Sequence, residues 1–278
     1  MKKFIVSFLM LSSFSVFADN ATSNEFEAFQ KFDNQVSLGM SFTQATLANG
    51  ANNQALQQDQ FMSLDVEHQF DNGIWADLNA YMMTSTNSLG NHSVGTGMGY
   101  GMPASQEPNL GGFNAKLGYS FPASQTFMIT PYATLGRNMN LAMSTILANG
   151  QANATNDFFY TAGLGARAQF VVNKYIDIYL DQSWAYNWDQ SGPLYGVMPQ
   201  NNSVFTTTLG AKFNVWRQLQ LGVGLFYNNF QYDAVAPNTT TLQGGSVING
   251  GNGSDGGTVS VYQPQYSFGG MVSVGMTF

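Results

Sequence analysis

Cysteine is missing from all 278 residues, histidine occurs twice, and only 9% of the chain is charged. Each shortage excludes something. Without cysteine there is no disulfide framework and no thiolate to serve as metal ligand or nucleophile. The two histidines, His68 and His92, stand far apart and leave little for a transition-metal site or for hydrolytic acid–base chemistry. A water-soluble domain carries about 25% charged residues, so the low charge argues against an ordinary solvated surface. No segment reaches the ~18 consecutive apolar residues of a helical membrane span. Basic residues number 9 against 16 acidic ones, which removes the basic footprint that a nucleic-acid partner needs.

What is present is clearest at the two ends. Lys2 and Lys3, the apolar run from Phe4 to Leu11, and Val16-Phe17-Ala18 have the three parts of a secretory signal, so residues 1–18 are expected to be removed after Ala18. That leaves 260 of the 278 residues, with 7 basic and 16 acidic side chains and a net charge of −9. At the other end, Tyr266, Phe268, Val272, Val274, Met276 and Phe278 alternate with Gln265, Ser267, Gly269, Ser273, Gly275 and Thr277. Period 2 is the signature of a strand with two unlike faces. A closed hydrogen-bonded sheet is a suitable way to hold an exported chain that has no disulfides.

The same alternation recurs along the chain and predicts about ten strands, with eight or twelve as alternatives. They fall at 34–44, 60–70, 74–84, 111–121, 126–137, 158–170, 175–186, 203–214, 218–230 and 261–278. Four connections are tight: Asp71–Gly73, Pro122–Gln125, Val171–Lys174 and Asn214–Arg217. Five are long, near 45–59, 85–110, 138–157, 187–202 and 231–260. Aromatics flank the tight turns (Phe70, Trp75, Phe121, Phe127, Phe170, Tyr175, Phe213, Trp216 and Phe278). A second set is expected at the far rim: Phe42, Tyr81, Tyr160, Trp184, Tyr186, Phe205, Tyr227, Tyr232 and Tyr262. Two aromatic belts are what a membrane-spanning barrel needs at its two interfaces. The fold class is therefore an all-β, membrane-spanning, antiparallel up-and-down barrel over residues 34–278. Residues 19–33 form a lead-in, partly ordered through Phe26, Phe29 and Phe32.

In these registers Asp65, Glu67, Asp77, Asp177 and Asp181 point inward, together with Lys116, Arg167 and Lys212. A charge on the lipid face at mid-depth costs roughly 2–4 kcal/mol, which explains the sorting. Two readings stay open. The charges line a constriction that selects solutes, or they pair with one another and fill a narrow interior. Inward glycines such as Gly165, Gly210 and Gly222 either open space or relieve curvature. Arg137, at the outer end of its strand, suits either a lipopolysaccharide phosphate or the ordinary interface.

With its export signal, strand–turn–loop rhythm, girdles and Val274-Gly-Met-Thr-Phe278 ending, the chain resembles small outer-membrane β-barrel proteins of Gram-negative bacteria, the OmpA-like or porin-like superfamily. The resemblance implies outer-membrane lipid and lipopolysaccharide as surroundings. It implies handling by periplasmic chaperones and the barrel assembly machinery, with Val274, Met276 and Phe278 as the assembly signal. It also implies a passive pore for small solutes. The other open function is a plugged surface barrel whose loops carry a structural role or bind host ligands. No enzyme activity, cofactor or metal is expected. Ten strands invite comparison with omptin proteases, but Asp-x-His does not occur, and His92–Ser93 lie in a glycine-rich loop. Gly250–Asp255 resembles one copy of a calcium-binding repeat without a tandem neighbour, and Gly95–Gly101 has the wrong spacing for a dinucleotide loop.

Overall fold

The computed structural model describes residues 23–49, 53–90, 111–139, 144–146, 152–154, 158–191, 202–232, 240–241, 258–261 and 263–278. Residues 1–22, His92–Ser93, Gly95–Gly101, Gly250–Asp255 and Tyr262 lie outside the described residues.

Ten long strands form one closed antiparallel barrel in up-and-down order. They are β1 (Gln35–Asn49), β2 (Asn53–Gln69), β3 (Ile74–Gly90), β4 (Phe113–Tyr119, continued by the short strand Phe121–Pro122) and β5 (Phe127–Met139). The second half is β6 (Phe158–Asn173), β7 (Ile176–Ser191), β8 (Asn202–Trp216), β9 (Leu219–Tyr232) and β10 (Gln263–Thr277). Each strand pairs with its sequence neighbours, and β1 closes the ring on β10 from Gln35↔Thr277 to Ala48↔Gln263. Closure leaves no unpaired strand edge for hydrocarbon to meet.

Several strands run farther than their alternation suggests. β1 and β2 stay paired up to Asn49↔Asn53, so the long connection expected over 45–59 is mostly hairpin. Above the lipid both faces of a strand are wet, so the apolar alternation fades while the backbone ladder continues. The turn after β2 carries Gly73 at φ 86°, and the turn after β8 carries Arg217 at φ 46°. β4 breaks at Ser120, whose hydroxyl turns inward to Gln69 and Thr130.

Leucine, valine and aromatic side chains cover the outside: Leu117 is 63% exposed, Leu164 58% and Leu225 67%. Exposed apolar surface on this scale, on every strand, is what hydrocarbon covers in a membrane barrel. Among the described residues no helix is long and apolar enough to cross a membrane. Among the described side chains, which do not include that of Tyr232, the belts need two corrections. Trp75 and Tyr81 share the inward parity of Asp77, and Trp75 is fully buried inside the barrel while Tyr81 faces the lumen. Beside a turn, an aromatic residue reads as girdle whichever face it occupies; register decides.

The lead-in is a helix, α1 (Ser23–Asp33). Phe26, Phe29 and Phe32, spaced three apart, fall on one helical face and are buried against Met128 of β5 and Val171 of β6. These two strand residues point into the barrel, so α1 sits in the mouth at the turn end. It is tied there by Gln30, whose amide donates to Asp71 Oδ1 at 2.7 Å. Asn34 beside it accepts the Gln69 N–H at 2.7 Å and the Phe278 N–H at 3.0 Å. Away from the turn end, short strands at 144–146, 152–154, 240–241 and 258–261 make a separate small sheet.

Candidate functional site

Strand parity brings the charges together. Asp65 and Glu67 of β2, Asp77 of β3, Lys116 of β4, Arg167 of β6, Asp177 and Asp181 of β7 and Lys212 of β8 all face the interior. Side chains alternate across a pleated strand, so one register decision per strand places them all. Lateral neighbours include Asp77↔Lys116, Asp181↔Arg167 and Asp177↔Lys212. Several of the ion pairs reach across the lumen instead. Lys116 of β4 meets Asp181 of β7 at 3.2 Å, and Lys212 of β8 meets Glu67 of β2 at 2.6 Å. Arg167 of β6 also pairs with Glu67.

The lower layer, at the turn end, includes one residue outside the strands. Asp33, the last residue of α1, is fully buried. Its Oδ1 accepts from Lys212 Nζ at 2.9 Å, Gln169 Nε2 at 3.0 Å and Arg167 Nη2 at 3.4 Å. The carbonyl of Phe32 accepts from Lys212 Nζ at 3.1 Å and Gln220 Nε2 at 3.3 Å. Glu67 is held further by the Trp75 indole N–H at 2.9 Å and by Gln35 at 3.0 Å. Gln169 Nε2 also donates to Asp177 Oδ2 at 3.0 Å. Buried charges persist only when paired and hydrogen-bonded, and here two cations answer three carboxylates. Burial drives the Asp33 carboxyl above its ordinary pKa; the Lys212 and Arg167 charges act against that rise, and Glu67 adds to it.

The middle layer is Lys116, between Asp181 and Asp77 at 3.2 and 3.4 Å. The Tyr132 hydroxyl donates to Asp181. Asp65 accepts from Asn79 at 3.4 Å. Above it the lumen carries amides and hydroxyls: Tyr81 donates to Asn138, Asn138 to Thr161, and Thr161 to Asn187. The interior encloses a cavity of about 480 Å³, lined by these two layers and by the upper members of the lower one.

The glycines serve a purpose that parity alone does not show. A Cβ on Gly165 would collide with the Tyr132 ring, and one on Gly210 with the Tyr179 ring. Each glycine is the cross-strand partner of that tyrosine, so the ring lies flat over it. Tyr179 then stacks beneath Arg167, whose guanidinium carbon is 4.4 Å from the ring centre. Glycine thus opens room that aromatic rings occupy.

Asp33, Trp75, Tyr132, Tyr179, Gln69, Gln169 and Gln220 also belong to the site, beyond the eight charges that parity places there. Asp33 had a signal: it keeps the parity of Gln35 and Ser37, the first inward residues of β1. Val274, Met276 and Phe278 lie on the outer face of β10, with Phe278 68% exposed and stacked on His68 at 5.9 Å between ring centres. Arg137 is exposed on the outer face of β5.

No protein-family model matches the chain, and no curated protein sequence matches it. Among solved structures, the outer membrane protease OmpT from Escherichia coli aligns at TM-score 0.45 and 9% identity, over 88% of this chain and 95% of that one. An outer membrane channel from Pseudomonas putida F1 aligns at 0.41 and 12%, over 88% and 96%. The translocator domain of the autotransporter NalP from Neisseria meningitidis aligns at 0.40 and 12%, over 88% of each chain. Likeness this distant transfers no activity. What the chain's own strands, closure and apolar belt show is the architecture of an outer-membrane β-barrel protein.

Proposed function

We propose that this protein is a narrow, porin-like passive conduit for small polar solutes across the outer membrane, closed at rest by α1. One observation carries the reading: a polar lumen holds a cavity of about 480 Å³, and below its floor of Glu67, Arg167 and Lys212 the mouth is filled by a helix and not by the strands. Ten strands lie near the size at which side chains fill the interior, so a removable stopper is a more economical gate than rearranged strands. In this reading the turn end faces the periplasm, residues 1–18 are removed on export, and Arg137 sits at the level of lipopolysaccharide phosphates.

The ion pairs support a second reading, a permanently closed barrel with a structural or adhesive role at the cell surface. Glu67 reaches across to both Arg167 and Lys212, and such links brace opposite walls. Solute influx into vesicles separates the two. With the full chain reconstituted, the conduit admits small amino acids or monosaccharides faster than empty vesicles do, and Phe29→Asp, which places a charge in the buried helical face, speeds entry further. A folded barrel that admits nothing with either chain leaves the closed reading.

A further inference from the structure

We infer that the floor of the lumen is a binding site for a small monocarboxylate, held in cis by the carboxyl of Asp33 while α1 is docked. The inference rests on the conduit reading, because the place that Asp33 fills is vacated when α1 leaves the mouth.

Asp33 belongs to the stopper, whereas everything that grips its carboxyl belongs to the wall. Arg167 and Gln169 of β6 and Lys212 of β8 all donate to Asp33 Oδ1, and each is at least nine-tenths buried. Lys212 and Gln220 of β9 also donate to the adjacent Phe32 carbonyl. When α1 leaves, these donors lose the acceptors that Asp33 and Phe32 supplied, and a solute carboxylate offers replacements of the same kind. The vacated floor keeps two cations, Arg167 and Lys212, against two carboxylates, Glu67 and Asp177. A monoanion entering there restores the charge pattern seen with Asp33. A dianion adds one negative charge beyond it, beside Glu67 and Asp177, and is disfavoured. Charge-assisted N–H donors arranged around one oxygen suit a carboxylate. The remainder of such a solute has the cavity above the floor to occupy.

Chemical rescue tests this in the full-length protein. Asp33→Ala removes the internal carboxyl and leaves every wall donor in place. Sodium acetate is expected to raise the heat-unfolding midpoint of this variant saturably, by roughly 3 °C over sodium chloride at equal ionic strength. Inorganic phosphate should give no such rise. Acetate indistinguishable from chloride overturns the site. If Asp33→Ala does not form a folded barrel, the wild-type chain decides through trypsin cleavage after Lys31. Acetate competing with Asp33 frees α1 and speeds cleavage about threefold over chloride, while equal rates overturn the site. Neither readout requires conduction. Saturable acetate binding in a barrel that passes no solute removes the conduit and keeps the site. Solute passage with no acetate effect removes the site and keeps the conduit.

Discussion

Lys212 is buried and answers two carboxylates, Asp33 at 2.9 Å and Glu67 at 2.6 Å. Replacing it with methionine keeps the volume but leaves two buried anions short of a cation. The expected loss is about 3–5 kcal/mol, read as a lower urea midpoint for the barrel folded in vesicles. On the opposite face the rule inverts. Leu164 is 58% exposed and midway along β6, where an arginine meets hydrocarbon. Leu164→Arg should destabilise folding into vesicles by about 2–4 kcal/mol, while Leu164→Ile changes it little. Both effects were legible from parity, because period 2 puts Leu164 on the outer face of β6 and Lys212 on the inner face of β8 without any knowledge of contacts. Parity did not give the partners. That Glu67 pairs across the lumen with Arg167 and Lys212, and beside it with Trp75, depends on barrel diameter and stagger, which no local pattern encodes.

At the scale of an element, α1 is the piece that the sequence only half disclosed. Phe26, Phe29 and Phe32 repeat at a helical interval, yet nothing local states what covers them. Their partners, Met128 and Val171, are apolar residues on the inward face of a polar barrel, and their oddity there was the missing half of the signal. Phe29→Ala should weaken docking of α1 by about 3–5 kcal/mol, seen as faster trypsin cleavage after Lys31 with the barrel itself still folded. Docking also depends on pH. Asp33 docks facing Glu67 of β2, Arg167 of β6, Asp177 of β7 and Lys212 of β8, and burial raises its carboxyl above the value it has when α1 is free. A group whose pKa rises on docking binds a proton more readily in the docked state. Its contribution to docking is therefore full at low pH and is lost as pH rises through the docked value. Release of α1 should increase as pH rises through that docked value, and Asp33→Asn should remove Asp33's share of the trend.

For the whole molecule, the barrel follows from a small set of constraints. Strands must pair completely in hydrocarbon, so they close; one face of each is apolar, so the charges gather inside; and ten strands leave a lumen that a short helix can stop. The architecture and the strand count were therefore readable from alternation and turn rhythm. The strand lengths were not, because pairing above the membrane has no apolar face to mark it, as Asn49↔Asn53 shows. The conduit and its stopper make opposite demands on the same lumen, and single-channel recording on the full chain in a planar bilayer weighs them directly. The wild type is expected to open rarely and briefly and Phe29→Asp to stay open for long periods, with altered ion preference when Lys116→Gln is added. A Phe29→Asp barrel that is folded, heat-modifiable and electrically silent would contradict the conduit reading.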